Sequence, residues 1–190
     1  YYTKPVRVKV ETKFTRAAAG GTGAAKAAGN YAGSLHPTEL AKSEGYDQIL
    51  WTDGATHTKV EECGTMNVGF VMDGKLVVPS TSDTVLSGVT RASAVELMRH
   101  EGVDVEERVV EVRELQEAIQ EGRLTEAFGL GTAATISPIC TLGLEDGDWD
   151  LPGQDTWTIA PLLKRRLDEV RTGAGAVSYT HLRAHETVVH

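Results

Sequence analysis

Between Ala17 and Gly29 the chain reads AAAGGTGAAKAAG: glycine, alanine, one threonine and a single charged residue, Lys26. A run this rich in glycine is a poor regular element, because each glycine gives up more backbone freedom on folding than any other residue. It reads as a loop that lets backbone approach something closely, and it leaves the flanking segments to build the core. Upstream, Val6, Val8, Val10 and Phe14 fall within an alternating run from Pro5 to Phe14, with Lys9, Glu11 and Lys13 between them, the pattern of a strand. Downstream, residues 34–44 suit a helix that Gly45 stops.

Further along, the spacing predicts strands over 48–52, 59–62 and 68–72, the last two paired with each other. Asp73-Gly74 is then a hairpin turn into Leu76, Val77 and Val78. From Thr90 the period becomes helical, with Ala94, Leu97 and Met98 on one side and a stop at Gly102. Residues 103–112 read as a strand and 114–120 as a short helix. The segment Ala127–Pro138 reads as a loop entering a buried strand, and 157–170 as the last helix. Strands and helices are mixed rather than strictly alternating, so an α+β fold on a curved, partly antiparallel sheet is expected over one domain, residues 1–176. Residues 177–190 show no periodicity and resemble a translated adapter sequence, so they are expected to be a non-native or disordered tail. His181 and His185 have metal-ligand spacing but no acidic companion motif, and no metal is expected there.

The net charge of −8 disfavours nucleic-acid or anionic-membrane partners. Lys164, Arg165 and Arg166 form the one basic cluster and suit a solvated helix face. Cys63 and Cys140 lie far apart without a CxxC partner and are expected to be buried thiols. No stretch has the roughly 18–20 apolar residues of a membrane span, and the start lacks a signal-peptide pattern, so a cytoplasmic location is expected.

Lys26 fails two phosphate-loop tests. It is followed by Ala27 rather than Ser or Thr, and it occupies the last place of a would-be GxGxxG. Alone it would be a solvated loop lysine, although small neighbours leave room beside it for a flat ring. Val60–Asn67, VEECGTMN, adds the second component. Together GGTGAAKAAGNYAGSL, EECGTMNVGFV, LSGVTRASAVEL and LTEAFGLGTAATISP, in this order, resemble class IV pyridoxal-phosphate aminotransferases, specifically the branched-chain group.

That resemblance implies a pseudobarrel-like large domain that binds pyridoxal 5′-phosphate. Lys26 would be the Schiff-base lysine and proton carrier, because a primary amine is needed to condense with the cofactor aldehyde. Glu62 would face the pyridine nitrogen and Tyr31 the ring O3′ oxygen. Leu86 would pack on the ring; Val89, Thr90 and Thr132 would hold the phosphate at a helix start. Thr65, Thr132 and Ala133 would receive the substrate. The implied reaction exchanges an amino group between leucine, isoleucine or valine and 2-oxoglutarate in a homodimer. The same fold also serves D-amino acid aminotransferases and aminodeoxychorismate lyases, from which GTMN departs. A cofactor-free interaction domain or inactive fragment is the reading of another class, opposed by the presence of Lys26 and Glu62. Ala134 and Ser137 stand where some mammalian members carry a redox CxxC, so no thiol switch is expected. The family's phosphate-binding arginine comes from an earlier domain, so the chain is expected to be a large-domain fragment; Arg16 has no assigned role.

Overall fold

The computed structural model describes residues 4–174. The tail 177–190 with its three histidines, His181 and His185 among them, and the outermost ends of the expected 1–176 domain, lie outside the described residues. Among the described residues, nine strands and five α-helices follow in the order β1 (Val6–Val10), α1 (Ala28–Ala32), α2 (Leu35–Ser43), β2 (Gln48–Thr52), β3 (Val60–Cys63), β4 (Asn67–Met72) and β5 (Lys75–Pro79). Then come α3 (Val89–His100), β6 (Val105–Arg108), α4 (Val112–Gln120), β7 (Leu124–Gly131), β8 (Thr135–Leu144), β9 (Gly147–Asp150) and α5 (Ile159–Thr172).

The strands form one mixed sheet in the order β3-β2-β1-β8-β7-β4-β5-β6, with β9 added on β8. This is the α+β fold on a partly antiparallel sheet expected from the mixed element order, in the half-barrel form that the resemblance implied. β1 runs parallel to both β2 and β8, whereas β4 is antiparallel to β5 and β7. The ten-residue β8 changes partner along its length: Thr135–Pro138 pair with β7, and Ile139–Gly143 with β1.

Successive strand residues face opposite sides, so a sheet covered on both faces needs two apolar layers. Val6, Val8, Phe70, Met72, Val77 and Ala127 point into one layer, which Leu115 and Ala118 of α4 close. Val71, Leu76, Val78 and Phe128 point the other way, against Ala94, Val95 and Met98 of α3 and Leu163 and Leu167 of α5. Every residue of β4 is buried as a result. α5 is fixed at its start by Glu126 of β7, 1% exposed, which accepts the backbone N–H groups of Thr158, Ile159 and Ala160 at 2.6, 2.9 and 2.7 Å. These are the first-turn donors that a helix leaves unpaired.

Several expectations need correction. Residues 127–138 are not a loop: they hold the end of β7, a tight turn and the start of β8, because the glycines there face side chains rather than mark a bend. The 103–112 strand is cut to Val105–Arg108, after which Val110 turns into the core while Val109 stays exposed. The strands near 59–62 and 68–72 exist but do not pair as a ladder; β3 lies on β2 and meets the start of β4 through one bridge, Cys63↔Met66. β9, with sequence GDWD and mostly exposed, carries no apolar alternation and was not expected. Cys63 is buried as expected, and burial pushes its thiol up to about 12; Cys140 is only partly buried. No helix among the described residues is long and apolar enough to cross a membrane.

Candidate active site

The glycine-rich segment folds as consecutive turns seated on the loop that follows β5. Ala24 N–H donates to Asp83 O at 2.9 Å, and Gly20 N–H to the Asp83 carboxylate at 2.7 Å. Gly23 makes the closest approach: a Cβ there would lie 2.6 Å from Thr84 Cα and 2.8 Å from Asp83 O, so no larger residue fits without moving backbone. Asn30 braces the far side of the loop, its amide donating to Thr22 O and Ala25 O at 2.8 and 2.9 Å. Lys26 is thereby presented from a tightly held loop with its own side chain exposed. Tyr31 follows on α1, half-buried.

Glu62 lies on β3 at 3% exposure. Its Oε1 accepts the Leu86 N–H at 2.6 Å and sits 3.2 Å from Arg16 Nη2. Burial pushes the Glu62 carboxyl up, while Arg16, the Leu86 N–H and the charge of Lys26 pull it down; burial prevails. Arg16 Nη2 also donates to Gly23 O at 3.1 Å and to Thr84 O, so one buried guanidinium joins the lysine loop, the carboxylate strand and the loop leading to α3. Sequence reasoning left Arg16 unassigned because an isolated arginine carries no periodic or motif signal.

Leu86, half-buried, is fixed from both ends of its peptide: its N–H bonds Glu62, and its carbonyl accepts Asn67 Nδ2 at 2.8 Å. The Asn67 side chain also crowds the Cβ position of Gly88. Gly88 is the N-cap of α3 in extended conformation with no side-chain cap, which leaves the N–H groups at Val89 and Thr90 open to an anion. Arg91 in the same turn is turned away, bonding Pro79 O at 2.8 Å and Glu107 at 3.0 Å.

On the remaining side, the register Asn67↔Leu130 carries the Thr65 turn alongside the turn holding Thr132 and Ala133. Met66 occupies the space above Gly129 and Gly131, whose Cβ atoms would lie 2.6 and 2.7 Å from it. Thr65, Thr132 and Ala133 are exposed. The turn ends at Thr135, a buried β-branched residue with φ +61 whose hydroxyl accepts Arg171 Nη1 at 2.6 Å. Thus Lys26, Glu62, Leu86 and the Val89–Thr90 helix start are tied into one network by Arg16 and Asn67. Thr65, Thr132 and Ala133 lie together beyond Asn67. A primary amine, a buried carboxylate and an uncapped helix start suit a small aromatic ring bearing an aldehyde, a basic nitrogen and an anionic group.

Residues 2–142 match the model of the amino-transferase class IV family. Branched-chain-amino-acid aminotransferase 2 of Bacillus subtilis is 42% identical over 91% of this chain and 48% of its own length. The branched-chain amino acid aminotransferase of Escherichia coli aligns structurally with a TM-score of 0.77 at 26% identity, over 92% of this chain and 54% of that one. The branched-chain enzyme of Thermobaculum terrenum in its PLP-form aligns at a TM-score of 0.73 and 28% identity, covering 90% and 52%. The chain spans about half the length of the curated relatives it matches. With its motifs in the family's order on the family's fold, the chain belongs to the class IV aminotransferases.

Proposed function

We propose that this chain is the cofactor-binding part of a branched-chain amino acid transaminase that uses pyridoxal 5′-phosphate. The observation that supports the reading is the Arg16-centred network, in which one guanidinium bonds the Lys26 loop, the Glu62 carboxylate and the loop that leads into α3. The substrate class is taken from its branched-chain aminotransferase relatives.

In this reading the backbone N–H groups of Val89 and Thr90, where the helix dipole favours an anion, would hold the phosphate, with Thr132 as a further contact. Glu62 would hold a proton at the ring nitrogen, Tyr31 would face the ring oxygen and Leu86 would pack on the ring. Bound in this way, the cofactor supplies an electron sink for breaking the bond between substrate Cα and its hydrogen. Lys26 Nζ would supply the primary amine that holds the cofactor by condensing with its aldehyde, with loss of water, and, once the substrate's amine has displaced it, would carry the proton at substrate Cα. Thr65, Thr132 and Ala133 receive the substrate carboxylate side. Leucine, isoleucine or valine would exchange its amino group with 2-oxoglutarate, in a cytoplasmic homodimer.

The test is borohydride reduction of the protein incubated with pyridoxal phosphate, followed by peptide mass analysis and an assay with leucine and 2-oxoglutarate. The cofactor mass is expected on Lys26, and Lys26→Ala should lose the label and, in the full-length parent, turnover. Labelling retained in that variant overturns the assignment.

A further inference from the structure

Glu61 and Glu62 are neighbours on β3, and both are buried, at 6% and 3% exposure. A lone buried carboxylate is costly to ionise, and two adjacent ones more so, because each charge opposes the other. A single guanidinium stands beside this pair. Arg16 reaches Glu62 directly at 3.2 Å, and Glu62 gains the Leu86 N–H as well. Glu61 Oε1 instead accepts the Thr84 hydroxyl at 2.5 Å, while its buried Oε2 has no hydrogen-bond partner. Thr84 in turn binds Arg16 through its carbonyl, so the two carboxylates meet at one joint.

We propose that the two glutamates share one positive charge and one proton unequally: Glu62 carries the negative charge, and Glu61 is a positioning residue kept as the neutral acid, whose ionisation would weaken the hold of Arg16 on Glu62. The groups around Glu61 favour this division. Asp53 from the turn after β2, Asp83 from the loop after β5 and Glu62 on its own strand all oppose a charge on Glu61, whereas the Thr84 hydroxyl and Arg16 favour it; Lys59 lines the same cavity as Glu61. Burial acts in the same direction as the acids and raises the Glu61 carboxyl. Glu62 faces Arg16, Glu61 and Lys26. The consequence for the cofactor rests on the function proposed above; the division of charge does not.

A carboxyl with a folded pKa above its unfolded value keeps a proton in the folded chain that the unfolded chain has released. Stability is therefore unaffected at low pH, where both states are protonated, and falls as pH rises from about 4.5 through the folded pKa. Glu61→Gln imitates the neutral acid and removes this fall. The experiment compares melting temperatures of the cofactor-free protein from pH 5 to pH 9 for wild type and Glu61→Gln. Glu61→Gln should match wild type near pH 5 and exceed it by about 3–6 °C at pH 9. A Glu61→Gln protein that melts at or below wild type at high pH overturns the proposal. Carbon-13 spectra of glutamate-labelled protein at pH 7 give a second readout. The carboxyl signal lost in Glu61→Gln should be in the protonated range and that lost in Glu62→Gln in the ionised range; the reverse assignment also overturns it. In the transaminase assay Glu61→Gln should remove an alkaline limb from the rate profile. Failure of borohydride to fix pyridoxal phosphate on Lys26 would count against the proposed function while leaving the melting and spectral results to decide the charge division.

Discussion

Gly23 offers the sharpest test of how the lysine loop is held. Substituting alanine adds one methyl group, whose Cβ would lie 2.6 Å from Thr84 Cα, 2.7 Å from Ala17 Cβ and 2.8 Å from Asp83 O. Ordinary carbon contacts begin near 3.5 Å, so the methyl needs about 1 Å of movement. Two of these three neighbours are backbone atoms and cannot rotate aside. The loop must lift from residues 83–84, which strains the Ala24 N–H to Asp83 O bond and the Arg16 bonds to Gly23 O and Thr84 O. Overpacking of this kind costs about 1–3 kcal/mol, which for a chain of this size lowers the melting temperature by roughly 3–10 °C. Because Lys26 is three residues along, pyridoxal phosphate affinity should fall as well. Gly29→Ala is the control: nothing lies within 4 Å of its Cβ position, its φ is not positive, and it sits in α1, so the change should be neutral or stabilising by up to about 1 kcal/mol. The measurement is thermal melting of both variants with and without cofactor. If Gly23→Ala melts together with Gly29→Ala and binds cofactor equally well, the close seating of this loop is not what holds Lys26.

Glu126→Ala should destabilise by about 2–4 kcal/mol, since three N–H groups at the start of α5 lose a charged acceptor inside the fold; a urea midpoint shift too small for 1 kcal/mol would show that water replaces the cap. Asp53 tests a different balance: burial pushes its carboxyl up, but N–H groups of Lys59, Thr56 and Thr58 and the Thr56 hydroxyl hold it down to about 2. A carboxyl lowered from 3.8 stabilises fully above that value and progressively less as pH falls toward 2. Asp53→Asn should therefore cost about 1–2 kcal/mol at pH 7, allowing for partial solvent screening, and about half that at pH 3. A gap that stays constant between these two pH values would contradict this account.

The parts of the fold legible in the sequence are those set by local chemistry. Asp73 and Gly74 both take positive φ in the β4–β5 turn, and Gly45 and Gly102 take it just past α2 and α3, as their positions in the pattern required. The alternation of Val6, Val8 and Val10 gave a strand with one face buried. In the candidate site, Lys26 and Glu62 were legible through motif order. What escaped depends on contacts distant in sequence. Arg16 acquires its place only when the loop after β5 folds back to it, and Asn67 only when Leu86 lies beside it. Glu126 reads as the polar member of a strand pattern until α5 arrives to use it. The 127–138 stretch looked like a loop because its glycines leave room for Met66, a neighbour no local window contains.

The change of partner along β8 sets the order in which the molecule can assemble. β1, near the start of the chain, hydrogen-bonds to β2 on one side and to Ile139–Gly143 on the other, so Val6 must wait for Ile139. By contrast, β4, β5 and β7 are joined through a tight hairpin and an antiparallel ladder among themselves. On a ribosome, therefore, the β4–β7 region has its partners while the β1–β2–β3 arm still has an open edge. That arm stays exposed until β8 emerges, since pairing across so long a loop comes late and slowly. During that interval Val6, Val8 and Val10 present an unpaired apolar edge, which makes the first strand, rather than the lysine loop, the place where nascent chains of this protein would adhere to one another.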